Sequence, residues 1–92
     1  MRKYILVIDT LCEGVRPAWW DDQDKPVVHN TLREANLELV EEIEDLIEKF
    51  RDDKGAEEME APESYVACCT IREDGAIVTE EGDVIYDPAV GR

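Results

Sequence analysis

The stretch TLREANLELVEEIEDLIEKFRDD, residues 31–53, decides how the rest of the chain must be arranged. Thr31-Leu32-Arg33-Glu34 has the form of a capping box, in which the hydroxyl and the carboxylate each satisfy an otherwise unbonded backbone amide. A helix is therefore predicted from Leu32 to about Asp53. Leu32, Ala35, Leu39, Val40, Ile43, Leu46, Ile47 and Phe50 recur at steps of three, four and one and keep one apolar stripe along it. That stripe asks for a covering layer, and the opposite face is left to solvent. Asp52-Asp53-Lys54-Gly55 supplies the stop, with Gly55 in the residue after the cap.

Working outward, KYILVID at residues 3–9 is β-branched, aromatic and nearly continuous in apolar character, which reads as a central strand. Periodicity is lost over residues 11–25, where Gly14 and Pro17 punctuate a surface loop, and a short strand is expected at Pro26 to His29. After the helix, residues 55–64 read as a mobile acidic linker around Pro62. Three short strands follow at Tyr65 to Ile71, Ala76 to Thr79 and Val84 to Tyr86, joined by turns at Glu73-Asp74-Gly75 and Glu80-Glu81-Gly82-Asp83. Alternation sets Tyr65, Ala67, Cys69 and Ile71 on one face and Val66, Cys68 and Thr70 on the other. The expected fold is α+β: one small two-layer domain spanning residues 1–92. It has an antiparallel sheet of about four or five strands and the long helix packed on one face. Edge strands of such a sheet also leave pairing between two copies open, as a homodimer.

The 92 residues carry 24 acids against 10 Lys and Arg, a formal net charge of −14. Such a field repels phosphates and anionic headgroups, so direct binding to nucleic acid or to a membrane is disfavoured and basic partners remain. The longest apolar run, Tyr4 to Ile8, is far below the ~20 residues that span a bilayer, and a cytoplasmic location is expected. Cys12, Cys68 and Cys69 form neither an even set nor a C-x-x-C spacing, which fits buried thiols in a reducing compartment.

Chemistry is sparse. His29 is the only histidine and Ser64 the only serine, neither in a nucleophile context, so no triad assembles and no catalytic residue is assigned. Asp21-Asp22-Gln23-Asp24 resembles a hard-cation loop, but Lys25-Pro26 interrupts the ligand spacing an EF-hand needs. No metal or cofactor is expected, and the chain reads as a non-enzyme.

The helix carries the distinctive signal. Between Leu32 and Asp53 stand nine acids, including Glu34, Glu38, Glu41, Glu42, Asp45 and Glu48, against Arg33, Lys49 and Arg51, a net of −6. Glu34/Glu38, Glu38/Glu42, Glu41/Asp45, Glu44/Glu48 and Glu48/Asp52 are like charges four residues apart, each costing about 0.2–0.5 kcal/mol. Only Asp45/Lys49 is of the favourable kind. A sequence chosen for stability alone would relieve this repulsion with lysine. Trp19-Trp20, followed by Asp21, Asp22 and Asp24, adds large rings in a charged rim, the usual composition of an interface anchor, although one ring can instead lid a small core.

In its layout, KYILVID, then TLREAN opening an acidic helix, then D-G and E-G-D hairpins, the chain resembles the small acidic α+β proteins of bacteriophages and other mobile elements. That group includes anti-CRISPR and anti-restriction inhibitors. The resemblance implies a DNA mimic that blocks the cationic nucleic-acid channel of a host defence complex, working in the host cytoplasm. The expectation is thus an acidic binding protein whose helix carboxylates and Asp21, Asp22 and Asp24 face a Lys/Arg-rich protein, with Trp19 or Trp20 as anchor. The alternative is an acidic structural or accessory protein, adapted to high salt.

Overall fold

In a computed structural model, residues 2–91 are described; Met1 and Arg92, the ends of the expected domain, lie outside the described residues. Strand β1 (Lys3–Thr10) is crowded with β-branched and aromatic side chains that suit extended backbone. It is the hub of the sheet. Strand β4 (Tyr65–Ile71) runs antiparallel along one edge. Along the other, β2 (Gly14–Pro17) and β3 (Val28–His29) lie end to end, β2 against Val7–Thr10 and β3 against Tyr4 and Ile5. Strands β5 (Ile77–Thr79) and β6 (Val84–Tyr86) extend the sheet beyond β4, giving the order β2-β1-β4-β5-β6 with β3 also on β1.

All pairings are antiparallel, so the fold is a small α+β domain with one helix and a sheet of five to six strands. The sheet curls nearly into a barrel. Arg16 on β2 donates to the Ile85 carbonyl on β6 at 3.2 Å, and Trp20 meets Tyr86 edge-on at 5.7 Å. Edge strands β2 and β6 thereby approach each other instead of both standing open. The interior of the curl holds Ile5, Val7, Cys69, Ile77, Ile85 and Tyr86, with Val15, Val28 and Ala67 against them. Alternation explains the set: Ile5 and Val7 share a face of β1, and Ala67 and Val28 are the cross-strand neighbours of Ile5. Cys68 and Cys69 point apart, Cys69 fully buried in that interior.

Both C-terminal turns are hairpins. At the first, Asp74 accepts from the Ala76 amide at 3.0 Å and Gly75 sits at φ +90°. A Cβ there would come within 3.2 Å of the Pro88 ring, so both backbone and space call for glycine.

Two local expectations are corrected. Residues 11–25 are not wholly loop: Gly14, at φ +74°, turns the chain back so that β2 can pair with β1, and Ala18 continues the ladder by donating to the Leu6 carbonyl at 2.8 Å. The Thr10 hydroxyl steadies this turn by donating to the Gly14 carbonyl at 2.7 Å. The helix stop also differs. Helix α1 (Leu32–Asp52) is capped by Asp53 in extended backbone, and the Asp53 carboxylate accepts from the Gly55 amide at 3.1 Å, so no left-handed glycine is needed. At the other end Thr31 Oγ1 accepts from the Glu34 amide at 3.1 Å, the N-cap half of the expected capping box; among the described residues the reciprocal bond to the Glu34 carboxylate is not made. Residues 56–64 form neither helix nor strand.

Helix α1 meets β1, β3 and β4, yet of its apolar stripe only Ala35 is buried; Leu39, Ile43, Leu46, Ile47 and Phe50 are half-buried. Accordingly the accessible surface, 6811 Å², exceeds the ~5,400 Å² expected of a compact chain of this mass. The body is elongated, 49 × 30 × 27 Å. Most of the buried side chains accordingly belong to the curled sheet. Ile85→Ala, which empties a fully buried site, should lower the unfolding free energy by about 2–5 kcal/mol in urea titrations; a loss under ~1 kcal/mol would show that this interior is not tightly packed.

Candidate partner-binding surface

The seating of α1 decides which acids are free. With about 100° between successive residues, Ala35, Glu38 and Glu42 fall within an arc of roughly 60°, and these residues tie the helix to the body. Glu38 Oε2 is 2.7 Å from His29 Nε2, and Glu42 Oε1 accepts from the Ser64 hydroxyl at 3.1 Å. His29 is the cross-strand partner of Tyr4 on β1. The remaining oxygens, Glu38 Oε1 and Glu42 Oε2, are buried with no hydrogen bond. Glu38 and Glu42 are thus turned toward the body. Among the described residues, His29 of β3 and Ser64 before β4 supply the hydrogen bonds to these carboxylates, beside the half-buried Leu39, Ile43 and Leu46.

The other acids of the helix point outward. Glu34, Glu41, Glu44, Asp45, Glu48 and Asp52 are exposed. Among the described residues the ion pairs are Arg2–Glu80, Arg16–Glu13 and His29–Glu38, so none of these six is neutralised within the chain. Asp45 and Lys49, correctly spaced for a favourable pair, make none. The like-charge repulsion among the six exposed acids is therefore uncompensated.

The tryptophans come to the same place. Trp19, Trp20, Val27, Glu38, Glu41, Glu42 and Asp45 line one cavity of about 310 Å³, so two distant segments of sequence build a single site. The chain folds this way because the Trp19 carbonyl accepts from the Val27 amide at 3.0 Å and Trp20 bridges to Pro26, closing residues 19–27 into a narrow hairpin beside the helix. Both rings remain 41% exposed. Trp20 has a second task, lidding the interior through its edge contact with Tyr86. Aromatic faces beside carboxylates attract a cationic side chain through both the ring quadrupole and direct charge.

Asp21, Asp22 and Asp24 stand at the tip of that hairpin, outside the cavity lining. Asp21 is engaged by the fold: its Oδ1 accepts from the Gln23 and Lys25 amides at 2.8 and 3.0 Å. Asp24 holds left-handed backbone at φ 59°, which aspartate tolerates in a turn. Asp22 is exposed. Among the described residues no group of three or more His, Cys, Asp or Glu side chains is arranged to hold a metal ion, and no helix is long and apolar enough to cross a membrane. Glu44 and the outward apolar residues Leu32, Leu37 and Val40 complete the surface. Sequence reasoning leaves these out of the site, and only the rotation of the helix singles them out.

The two adjacent thiols of β4 are shifted upward. Burial pushes Cys69 up to about 11. Burial and a hydrogen bond with Glu80 raise Cys68, while a hydrogen bond to Asp9 raises Tyr65. A thiol whose folded pKa lies above its unfolded 9.0 holds its proton more tightly in the native state, so its contribution to stability is present below about pH 9 and lost as pH rises toward 11. Urea unfolding of Cys69→Ala should show a shallower loss of stability between those limits than the parent chain; equal slopes would mean that the Cys69 thiol titrates as it does unfolded.

No family model, curated protein or solved structure matches this chain.

Proposed function

We propose that this chain is a non-enzymatic binding protein that occupies the positively charged nucleic-acid-binding surface of a partner protein, as a DNA mimic or anti-defence inhibitor. The reading rests on one observation: Glu41 and Asp45, free of internal partners, stand with Glu44 and Glu48 on an outward ridge of α1, beside the half-exposed Trp19 and Trp20. In this reading the helix lies on the outer face of the sheet through Ala35, Glu38 and Glu42. Its free side is presented to the partner.

Magnitudes support the comparison with nucleic acid. From Glu41 to Glu48 the helix rises about 10 Å, so the four carboxylates are spaced about 3.5 Å apart along the axis, against ~3.4 Å per phosphate on one strand of B-DNA. A cationic channel would be drawn to such a ridge at long range, with fast association that weakens in salt. Charge alone gives weak contacts, and the rings supply the desolvated anchor that holds the complex. The mechanism is occlusion: the ridge takes the Lys and Arg side chains that phosphates would otherwise engage, and no bond is made or broken.

Immobilised parent chain and the variant E41Q/E44Q/D45N/E48Q, both exposed to a lysate and eluted with rising salt, provide the test. The parent should retain basic nucleic-acid-binding proteins that duplex DNA competes away, and the variant should not. The variant should also fold as well as the parent or better, since the like-charge repulsion is relieved. Equal retention by both chains, or retention that DNA leaves untouched, would overturn the proposal.

A further inference from the structure

The apolar flank of α1 left uncovered toward its N-terminus is a second surface to which the reading above gives no role. Leu32, Arg33, Asn36, Leu37 and Val40 line a shallow groove of about 370 Å³ along the first half of the helix. Leu32, Leu37 and Val40 are 48%, 50% and 44% exposed, although an isolated domain gains nothing from keeping three large aliphatic side chains in water. Helical spacing continues the Leu37 row into Glu41, Glu44 and Glu48. One strip of the helix is therefore apolar toward its N-terminus and anionic toward its C-terminus, with Arg33 the only charge in the apolar half.

We infer that this strip docks a cationic amphipathic helix of the partner. Its aliphatic side chains seat over Leu32, Asn36, Leu37 and Val40, and its Lys or Arg side chains reach Glu41, Glu44 and Glu48. The inference rests on the binding function proposed above and names the partner's chemistry. Charge complementarity selects the occupant. A second copy of this chain brings a further −14 and a matching acid ridge, whereas a basic helix supplies both the missing cations and the missing apolar cover. Packing of an apolar helix face into such a groove is a recurring recognition mode, with anchors at i, i+3, i+4 and i+7.

The test uses two synthetic peptides of identical composition, rich in Leu and Lys and about five turns long. One has its leucines on a single helical face; in the other they are reordered so that no face is apolar. Binding is followed by calorimetry at about physiological salt, where surface charge is screened beyond ~8 Å. The amphipathic peptide should bind at least tenfold more tightly than the reordered one. Leu37→Ser with Val40→Ser should remove that advantage while leaving the far-ultraviolet circular dichroism unchanged. Asn36→Lys, which adds a cation to the groove and deletes no apolar contact, should weaken the amphipathic peptide by a similar factor and serves as the second variant.

Equal affinity for the two peptides would overturn the docking inference. If E41Q/E44Q/E48Q then abolished both interactions, the acid ridge would act alone and the proposed function would survive. Loss on Leu37→Ser/Val40→Ser with no effect of E41Q/E44Q/E48Q would instead contradict the electrostatic part of both. Sedimentation that showed the parent chain dimerising, and Leu37→Ser/Val40→Ser restoring the monomer, would assign the groove to a second copy and overturn the inference.

Discussion

The structure turns on the anchoring of α1 by Glu38 to His29 and by Glu42 to Ser64. A helix of this composition would be expected to bury the middle of its apolar stripe, where Leu32, Ile43 and Phe50 align. It is tied as well by a flank that carries Ala35 and two carboxylates, so that Ile43 and Phe50 are only half-buried while Leu32 and Val40 stand exposed with the remaining acids. Partly buried polar bonds of this kind specify an orientation more than they stabilise it, since the desolvation of each carboxylate offsets much of what its hydrogen bond contributes. The two buried oxygens that lack partners fit that description.

From this seating the surface follows. The outward acids form a ridge, with the Trp19–Trp20 cavity on one side and the Leu32–Val40 groove on the other. A charged ridge between apolar flanks is a different object from an evenly acidic exterior. It can combine steering at long range with desolvated contact at short range. Uniform acidity adopted for solubility needs no aromatic cavity and no open aliphatic groove, and on those two features we base the proposal of binding rather than salt adaptation.

Much of the fold was legible because its signals are local. The N-cap at Thr31, the apolar run of β1, the glycine turns at Gly75 and Gly82, and the opposed faces of Cys68 and Cys69 each depend on neighbours a few residues away. Strand β2 was not legible, since Gly14–Pro17 is too short for a periodic pattern and pairs only because β1 is already extended beside it. The curl of the sheet was equally hidden: the contacts that close it, Arg16 to Ile85 and Trp20 to Tyr86, join residues more than sixty positions apart. At the site, composition identified the acids and tryptophans but not which acids turn inward. A wheel drawn from the sequence centres the buried face on the apolar stripe, and nothing in it announces that His29 and Ser64 will claim Glu38 and Glu42.

The seating of the helix is open to direct measurement in the free protein by methyl NMR with a neutral soluble paramagnetic chelate, which broadens groups that water can reach. The account predicts strong broadening at the methyls of Leu32, Leu37 and Val40 and protection of Ala35. Protection of Leu32 and Val40 together with broadening of Ala35 would mean that the helix buries the centre of its stripe, and the ridge and groove described above would not exist.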